Sequence, residues 1–587
     1  MFPELLPWAQ WCYGAHSHLF YGDSISIESC VGVQQGDPLG PLLFCLVLHV
    51  LVRQIASKCP DLRLHKWYLD DGVFAGPTVQ VARALHIIKT QGPSLGLVLN
   101  LGKCELFSGH VEHFGVNVID ADGSHLSFPS ALNLRSTTPH FVLLGSPFGD
   151  TAFCAAHVQK LRGANKKLLD SLCQLFDPQV ALHLLRTCAS FCKFVYVART
   201  TPPRLVCDAL KLCDVDVRAC FEGLAVLQLS DVAWCQSQLS LSGGGLGLRS
   251  TARHCTAAYI SSHTFAMPGV LTSFLHDAFA LHAVAIDQAA PDDHVCAGWL
   301  IEPPAQRALS LKIEHVDALA LKVQLSPADR IRFNSVCAPR SSAWLQAMPS
   351  VGPFDMTLSP DEVQVALQHR LGLSLAQSSD RCSLCSKNTP LDSLGHHHLT
   401  CPNGGYVAVR HNRLRDALYF VCRAAGLNSQ REKGASHDDA SRPADLLVSD
   451  WCLGQSAAFD LTVVSPLSPD NLLVAGDEQD VVAKAAALKH DKYDAKCADL
   501  GWQCVPLAVD SYGRWGDEAH KSFTQLASHL KTRTKVSLCA ALNSVYNPLG
   551  VVLARQNAHA ILARRVHQFP VGTREVHQLA LVASESL

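Results

Sequence analysis

Three sets of residues in this 587-residue chain have the types and spacing to do chemistry. The first is Asp70-Asp71, set between the strand-like halves His65-Lys66-Trp67-Tyr68-Leu69 and Gly72-Val73-Phe74. Neighbouring strand residues point to opposite faces, so two adjacent carboxylates converge only at a turn. There they could hold Mg2+ for phosphoryl transfer, paired metals stabilising both the attacking and the leaving oxygen. The second set is Cys382-Ser383-Leu384-Cys385, followed by His396-His397-His398 and Cys401. With His397 as ligand the spacing is Cys-x2-Cys-x11-His-x3-Cys. Two close pairs of soft or borderline donors suit tetrahedral Zn2+, and His396 and His398 stand as alternatives to His397. The third set is Glu432, Asp445 and Asp460, each Asp abutting an apolar strand-like run, with a turn at Leu453-Gly454 between them. Two carboxylates with Glu432, read as an acid on a preceding helix, can seat Mg2+. A lysine can orient the attacking water, and Lys484, Lys489 and Lys492 lie on a helical stretch just beyond. Each set also has a plain reading: a hairpin turn, Cys and His in a chain rich in both, and Asp residues at strand ends.

These residues need elements to position them, and the sequence punctuates those elements. Asp71-Gly72 predicts the hairpin turn itself, because Asp tolerates and Gly favours positive φ. In Gln34-Gln35-Gly36-Asp37-Pro38-Leu39-Gly40-Pro41, Asp37 is a good N-cap and Pro38 suits the first helical position. Gly36 lets the backbone approach a ligand, and the helix start beyond it favours phosphate. The chain as a whole reads as an α+β multidomain protein. Residues 1–150 alternate short strands with one strong helix, 151–377 form a helical connector, and 378–430 hold the Cys/His cluster and a following helix. Residues 431–535 are a strand-rich α/β segment and 536–587 a helical tail. Arg410-His411-Asn412 reads as structural, Gly243-Gly244-Gly245-Leu246-Gly247 as a flexible connection, and Lys160, Arg162, Lys166 and Lys167 as a basic or simply solvated helix face.

Composition bounds the rest. Hydrophobic residues make up 48% and charged residues 17%, which excludes a largely disordered chain. The net charge of −2 excludes a global positive field, so any nucleic-acid binding uses local patches. The 24 cysteines are too sparse for a disulfide scaffold and sit in apolar runs, as free thiols do in a reducing compartment. No basic, apolar leader opens the chain, and the run from Leu42 to Val52 is shorter than a membrane span. A nuclear or cytoplasmic location, neither secreted nor membrane-spanning, is the expectation.

Taken together, Gln35-Gly36-Asp37-Pro38-Leu39-Gly40-Pro41-Leu42-Leu43-Phe44 and Tyr68-Leu69-Asp70-Asp71, 33 positions apart from Asp37 to Asp70, resemble two motifs of the reverse transcriptase family. Gly96 to Glu105 and Leu143 to Gly149 resemble the family's next segments, the last being its primer grip. The cluster Cys382, Cys385, His397, Cys401 and the series Pro443, Asp445, Asp460, Lys489 follow in the order found in non-long-terminal-repeat retrotransposons with a carboxy-terminal restriction-like endonuclease. The resemblance implies a partial palm over 1–150, a helical thumb or connector, a zinc knuckle at 378–430 and a nuclease domain at 431–535. It implies metal-holding roles for Asp70 and Asp71, contacts to substrate or nucleic acid from Gln35, Gly36 and Lys103, and His397 as the zinc ligand. It implies Glu432, Asp445, Asp460 and Lys489 as nuclease residues, Mg2+ and Zn2+ as cofactors, and an RNA template and DNA target or primer as partners. Three departures qualify it. The family's first palm Asp lies on a strand that precedes text like Phe2-Pro3-Glu4-Leu5, so polymerase activity is expected to be weak or nil. Ala444 splits the Pro-Asp pair, and Thr462 stands where a simple Asp-x-Lys nuclease has lysine. An inert nucleic-acid-binding remnant and a stand-alone metal-dependent DNA nuclease are the competing expectations.

Overall fold

The structure, a computed structural model, describes residues 3–21, 25–266, 305–350, 354–433, 444–452, 454–469 and 480–564. Arg442, Pro443 and Leu453 lie outside them. The chain divides into two compact units, Met1–Phe141 and Val142–Leu587.

In the first unit the apolar run at Leu42 seeds a 19-residue helix, Gly40–Lys58, longer than the run itself. By length and composition this helix and Pro178–Thr200 could each cross a membrane. Here Gly40–Lys58 buries Leu48, Leu51 and Ile55 against Ala84, Ile87 and Ile88 of the helix Thr78–Gln91. The helix starts later than the sequence suggests. Asp37 does not cap it; Leu39 is the cap residue, and Asp37 Oδ1 instead accepts from the Leu39 amide at 2.9 Å in a turn just ahead of it. Strands Leu64–Tyr68 and Asp71–Ala75 form the expected hairpin, but its turn is Leu69-Asp70 rather than Asp71-Gly72. Leu69 takes the positive φ, 55°. Gly72 lies within the strand opposite Trp67, where a Cβ would meet the indole at 2.8 Å, so the glycine makes room for a ring and not for a turn. Among the described residues every sheet in this unit has two strands.

In the second unit, Asp150 caps the helix Thr151–Cys173 through Phe153 N, and that helix packs Leu169 and Leu172 against Cys220, Phe221 and Leu224 of Pro203–Ala225. The basic face on Thr151–Cys173 is partly neutralised: Arg162 pairs with Asp216 at 2.6 Å and Lys166 with Asp170 at 3.1 Å. The loop Gly243 to Gly247 is no flexible connection. The Gln236 amide donates to Gly244 O, and the buried Arg370 guanidinium donates to Gly245 O and Leu241 O. Burial lowers the Arg370 pKa to about 10. A Cβ on Gly245 would press into the backbone carbonyls of Leu239 and Gln236, the latter at 2.5 Å. Gly245→Ala is therefore expected to cost about 3 kcal/mol, since backbone on both sides leaves nothing to yield; a denaturant titration reads it.

A four-stranded sheet follows in the spatial order Ser429–Lys433, Ala444–Cys452, Gln455–Val464, Trp502–Asp510. The first three strands are antiparallel, and the last runs parallel to Gln455–Val464 after a crossover through the helix Val481–Asp499. One face packs on the helices Tyr406–Ala424 and Asp517–Thr534, burying Leu414, Leu418, Phe459, Leu507 and Phe523, each worth about 1.5–3 kcal/mol. The helix Leu538–Leu562 is not a peripheral tail. Its Val545, Leu549 and Leu553 join that core, its Val551 joins the connector core, and its Ala558 and Ile561 meet Val365 and Leu399.

Candidate functional site

Backbone register brings the acids of the third set into a row. Arg431 and Lys433 pair with Leu446 and Ala444, and Leu446 pairs with Phe459, so Glu432, Asp445 and Asp460 sit at neighbouring positions on three adjacent strands. Directly opposed residues of an antiparallel pair share a face, with Cβ atoms about 4.5–5.5 Å apart. Glu432 is thus on a strand and not on a helix; its side chain lies outside the described residues. Asp460 is 4% exposed and its Oδ2 takes Lys489 Nζ at 2.7 Å. Burial raises the Asp460 pKa, and the lysine works against that rise. Asp445 Oδ2 accepts from the Leu461 amide at 2.8 Å, and its Oδ1 faces His411 Nε2 at 3.2 Å. The bond to Asp445 raises the His411 pKa against the opposing effect of burial. Asp445 and Asp460 thus each have one side-chain partner from a helix: Lys489 of the crossover at Asp460, His411 of Tyr406–Ala424 at Asp445.

His411 corrects the reading of Arg410-His411-Asn412. Arg410 is structural, 4% exposed and donating to Asn557 Oδ1 and Leu399 O, but its neighbour reaches the acid row. Adjacent helical residues face about 100° apart, so one tripeptide serves both the core and the site. Lys492 instead lies over the Tyr493 ring, and Lys484 is exposed.

The Cys/His set closes on itself. The ligand atoms of Cys382, Cys385, His397 and Cys401 all lie within 4.8 Å of one another. Asp392 carboxylate oxygens accept from the His396 and His397 amides at 2.8 and 2.7 Å, starting the short helix His396–Thr400 and turning His397 toward the thiols. His396 leaves the cluster, its Nδ1 lying 2.8 Å from Ser465 Oγ. Donor bonds from Thr389 lower the Cys385 pKa to about 6. Cys385 Sγ lies 3.7 Å from His397 Nε2, close to the ~3.6 Å that bonds of ~2.3 and ~2.05 Å at a tetrahedral angle require. The donor set therefore fits zinc. Arg564, fully buried, donates to Cys401 O and Asn403 O and ties this segment to the end of the helix Leu538–Leu562.

In the first unit Asp70 and Asp71 are exposed at the hairpin tip, and no third His, Cys, Asp or Glu donor clusters with them among the described residues. Gln35 and Lys103 are exposed. Gly36 has φ 94° and open space where a Cβ would stand, so conformation alone calls for glycine there. The primer-grip-like segment forms a hairpin, Phe141–Leu143 with Ser146–Phe148, turned by Leu144 and Gly145 at φ 48° and 80°. Tyr196 Oη donates to Leu144 O at 2.6 Å.

Residues 2–118 match the family model described as reverse transcriptase (RNA-dependent DNA polymerase). The match spans Gln35-Gly36, Asp70-Asp71 and Lys103 and supports a reverse transcriptase-related function, in a family that usually uses a divalent metal and acts on nucleic acid. No curated protein matches the chain.

Proposed function

We propose that this is a reverse transcriptase-related chain of the non-long-terminal-repeat retrotransposon type whose second unit carries a DNA-cleaving centre on Asp445 and Asp460. In this reading Cys382, Cys385, His397 and Cys401 hold Zn2+. The observation that supports the cleaving centre most is the placing of Asp445 and Asp460 just beyond the Leu446–Phe459 pair of neighbouring strands, Asp460 bound by Lys489 and Asp445 by His411. Two neighbouring carboxylates, one paired with a lysine and one bound to an imidazole, form a place where a divalent cation can bind. Asp445 and Asp460 would hold Mg2+, which when bound supplies the charge that stabilises phosphate oxygens during displacement. The Leu461 amide fixes one oxygen of Asp445 and leaves the other to turn with His411. Lys489, on the crossover helix beside Asp460, would orient the attacking water. Thr462, two residues along the strand, shares the face of Asp460 and leaves that role to Lys489.

Supercoiled plasmid incubated with the full chain tests this reading. Nicking that needs Mg2+ and is lost in Asp445→Asn is the expected result, and no metal-dependent nicking would leave the inert remnant as the better account. His411→Ala is expected to raise the Mg2+ needed for half-maximal nicking about 10–100-fold, with the fold intact, because the imidazole orients a ligand without being one. On the polymerase side, no third donor clusters with Asp70 and Asp71 among the described residues. Primer extension on an RNA template is expected at background, with or without Asp70→Ala; extension abolished by Asp70→Ala would overturn the impairment. RNA template and DNA target or primer are the partners in this reading. A nuclear or cytoplasmic, reducing location suits the thiol ligands.

A further inference from the structure

A second cluster of metal donors lies on the crossover helix and the strand beside it. His490, Asp494 and Cys497 recur at i, i+4 and i+7 of Val481–Asp499 and so share one face of it. Cys504, 7% exposed, comes from the neighbouring strand Trp502–Asp510. The ligand atoms of His490, Asp494 and Cys504 lie within 4.8 Å of one another, and Cys497 packs beside Cys504 in one small buried cluster. His490 Nδ1 stands 2.8 Å from Asp494 Oδ1, while Nε2 is bound to Glu518 Oε1 at 2.9 Å. That is the arrangement of a metal-ligating imidazole: one nitrogen toward the donor set, the other held by a carboxylate that fixes tautomer and ring angle.

The geometry points to a second zinc site, formed by His490, Asp494 and Cys504 with Glu518 behind the imidazole. The set is one imidazole, one carboxylate and one thiol, which suits four-coordinate Zn2+ with water as the fourth ligand. The cation replaces the thiol proton, which passes to solvent, and no oxidation state changes. Its place in the fold gives it a consequence. The helix and strand it would join are the crossover that carries Lys489 and the strand beside Asp460, so the zinc sets the register of Lys489 on its carboxylate. The structural alternative, an ion-paired histidine beside two buried thiols that fill the core, predicts no affinity for metal.

Zinc counted by native mass spectrometry on the full chain, purified under reducing conditions, separates the two. The expected counts are two for the wild type, one for Asp494→Asn/Cys504→Ser and one for Cys385→Ser/Cys401→Ser. A wild-type count of one that the Cys385/Cys401 variant abolishes and the Asp494/Cys504 variant leaves unchanged overturns this site. The reverse pattern sustains it and removes the Cys382 site instead. Glu518→Gln covers the case in which the double variant fails to fold. It is expected to lower the chelator concentration that strips one of the two zincs about 10–100-fold while leaving the other in place. Release unchanged from the wild type overturns the inference.

Discussion

Asp460→Asn is expected to lower Mg2+-dependent nicking by the full chain roughly 10³-fold, the several kcal/mol that a lost metal ligand removes from transition-state charge stabilisation. The same substitution is expected to leave stability unchanged or slightly higher. Burial already works against the ionised Asp460, and an amide of the same shape sheds that desolvation. Lys489→Ala should separate the two properties in the other direction. It leaves a carboxylate that is 4% exposed without its cation, at an expected cost of about 2–3 kcal/mol, the lower part of the range for buried pairs because the lysine is 26% exposed. Adding Asp460→Asn to Lys489→Ala should recover most of that stability and none of the activity. Denaturant titration alongside nicking rates reads both, and a Lys489→Ala protein as stable as wild type would show that the ion pair is not what holds Asp460.

The other large effect lies at the Cys/His cluster. Metal binding in isolated zinc-finger peptides is worth about 10–16 kcal/mol, far more than the few apolar side chains here can supply. Cys382, Leu391 and Cys401 form a small local core, with Ala376 and Cys385 half-buried beside it, while Leu399 packs on the helix Leu538–Leu562. Stripping the metal, or Cys401→Ser, is expected to open the loop from Asp380 to Leu391 while the sheet and its helices stay folded, since that small core is separate from the main one. Limited trypsin digestion should then cut at Arg381 and Lys387, both protected in the loaded protein. Cleavage at these two sites that is unaffected by chelation would contradict a structural metal there.

How far the sequence reaches depends on the range of the force concerned. The Cys-x2-Cys…His-x3-Cys spacing and the two strands bearing Asp445 and Asp460 are local patterns, and the structure groups these residues as their spacing suggests. The hairpin at Asp70 is local too, yet its turn is shifted, because Gly72 answers to the Trp67 ring, a cross-strand contact that dipeptide statistics do not contain. Asp37 looks like a cap by residue type, but Tyr13 Oη donates to one of its oxygens and the other serves the Leu39 amide two residues on. The loop at Gly243 reads as flexible because its fixing groups are not beside it: Gln236 is 8 residues from Gly244, and Arg370 is 125 residues from Gly245. His411 has the same cause: only tertiary packing brings the helix Tyr406–Ala424 under the strand of Asp445. Leu538–Leu562 reads as a tail because an apolar helix at a chain end carries no local sign of which cores it will join.

The central claim is that Asp445 and Asp460 jointly hold a divalent cation in place of Lys489 and His411. Mn2+ binding followed by electron paramagnetic resonance on the full chain, zinc-loaded, compares the wild type with Asp445→Asn/Asp460→Asn most directly. The account predicts that the double variant binds one Mn2+ fewer than the wild type while Asp70→Asn/Asp71→Asn leaves that ion in place. Equal Mn2+ binding by the wild type and by Asp445→Asn/Asp460→Asn would contradict it.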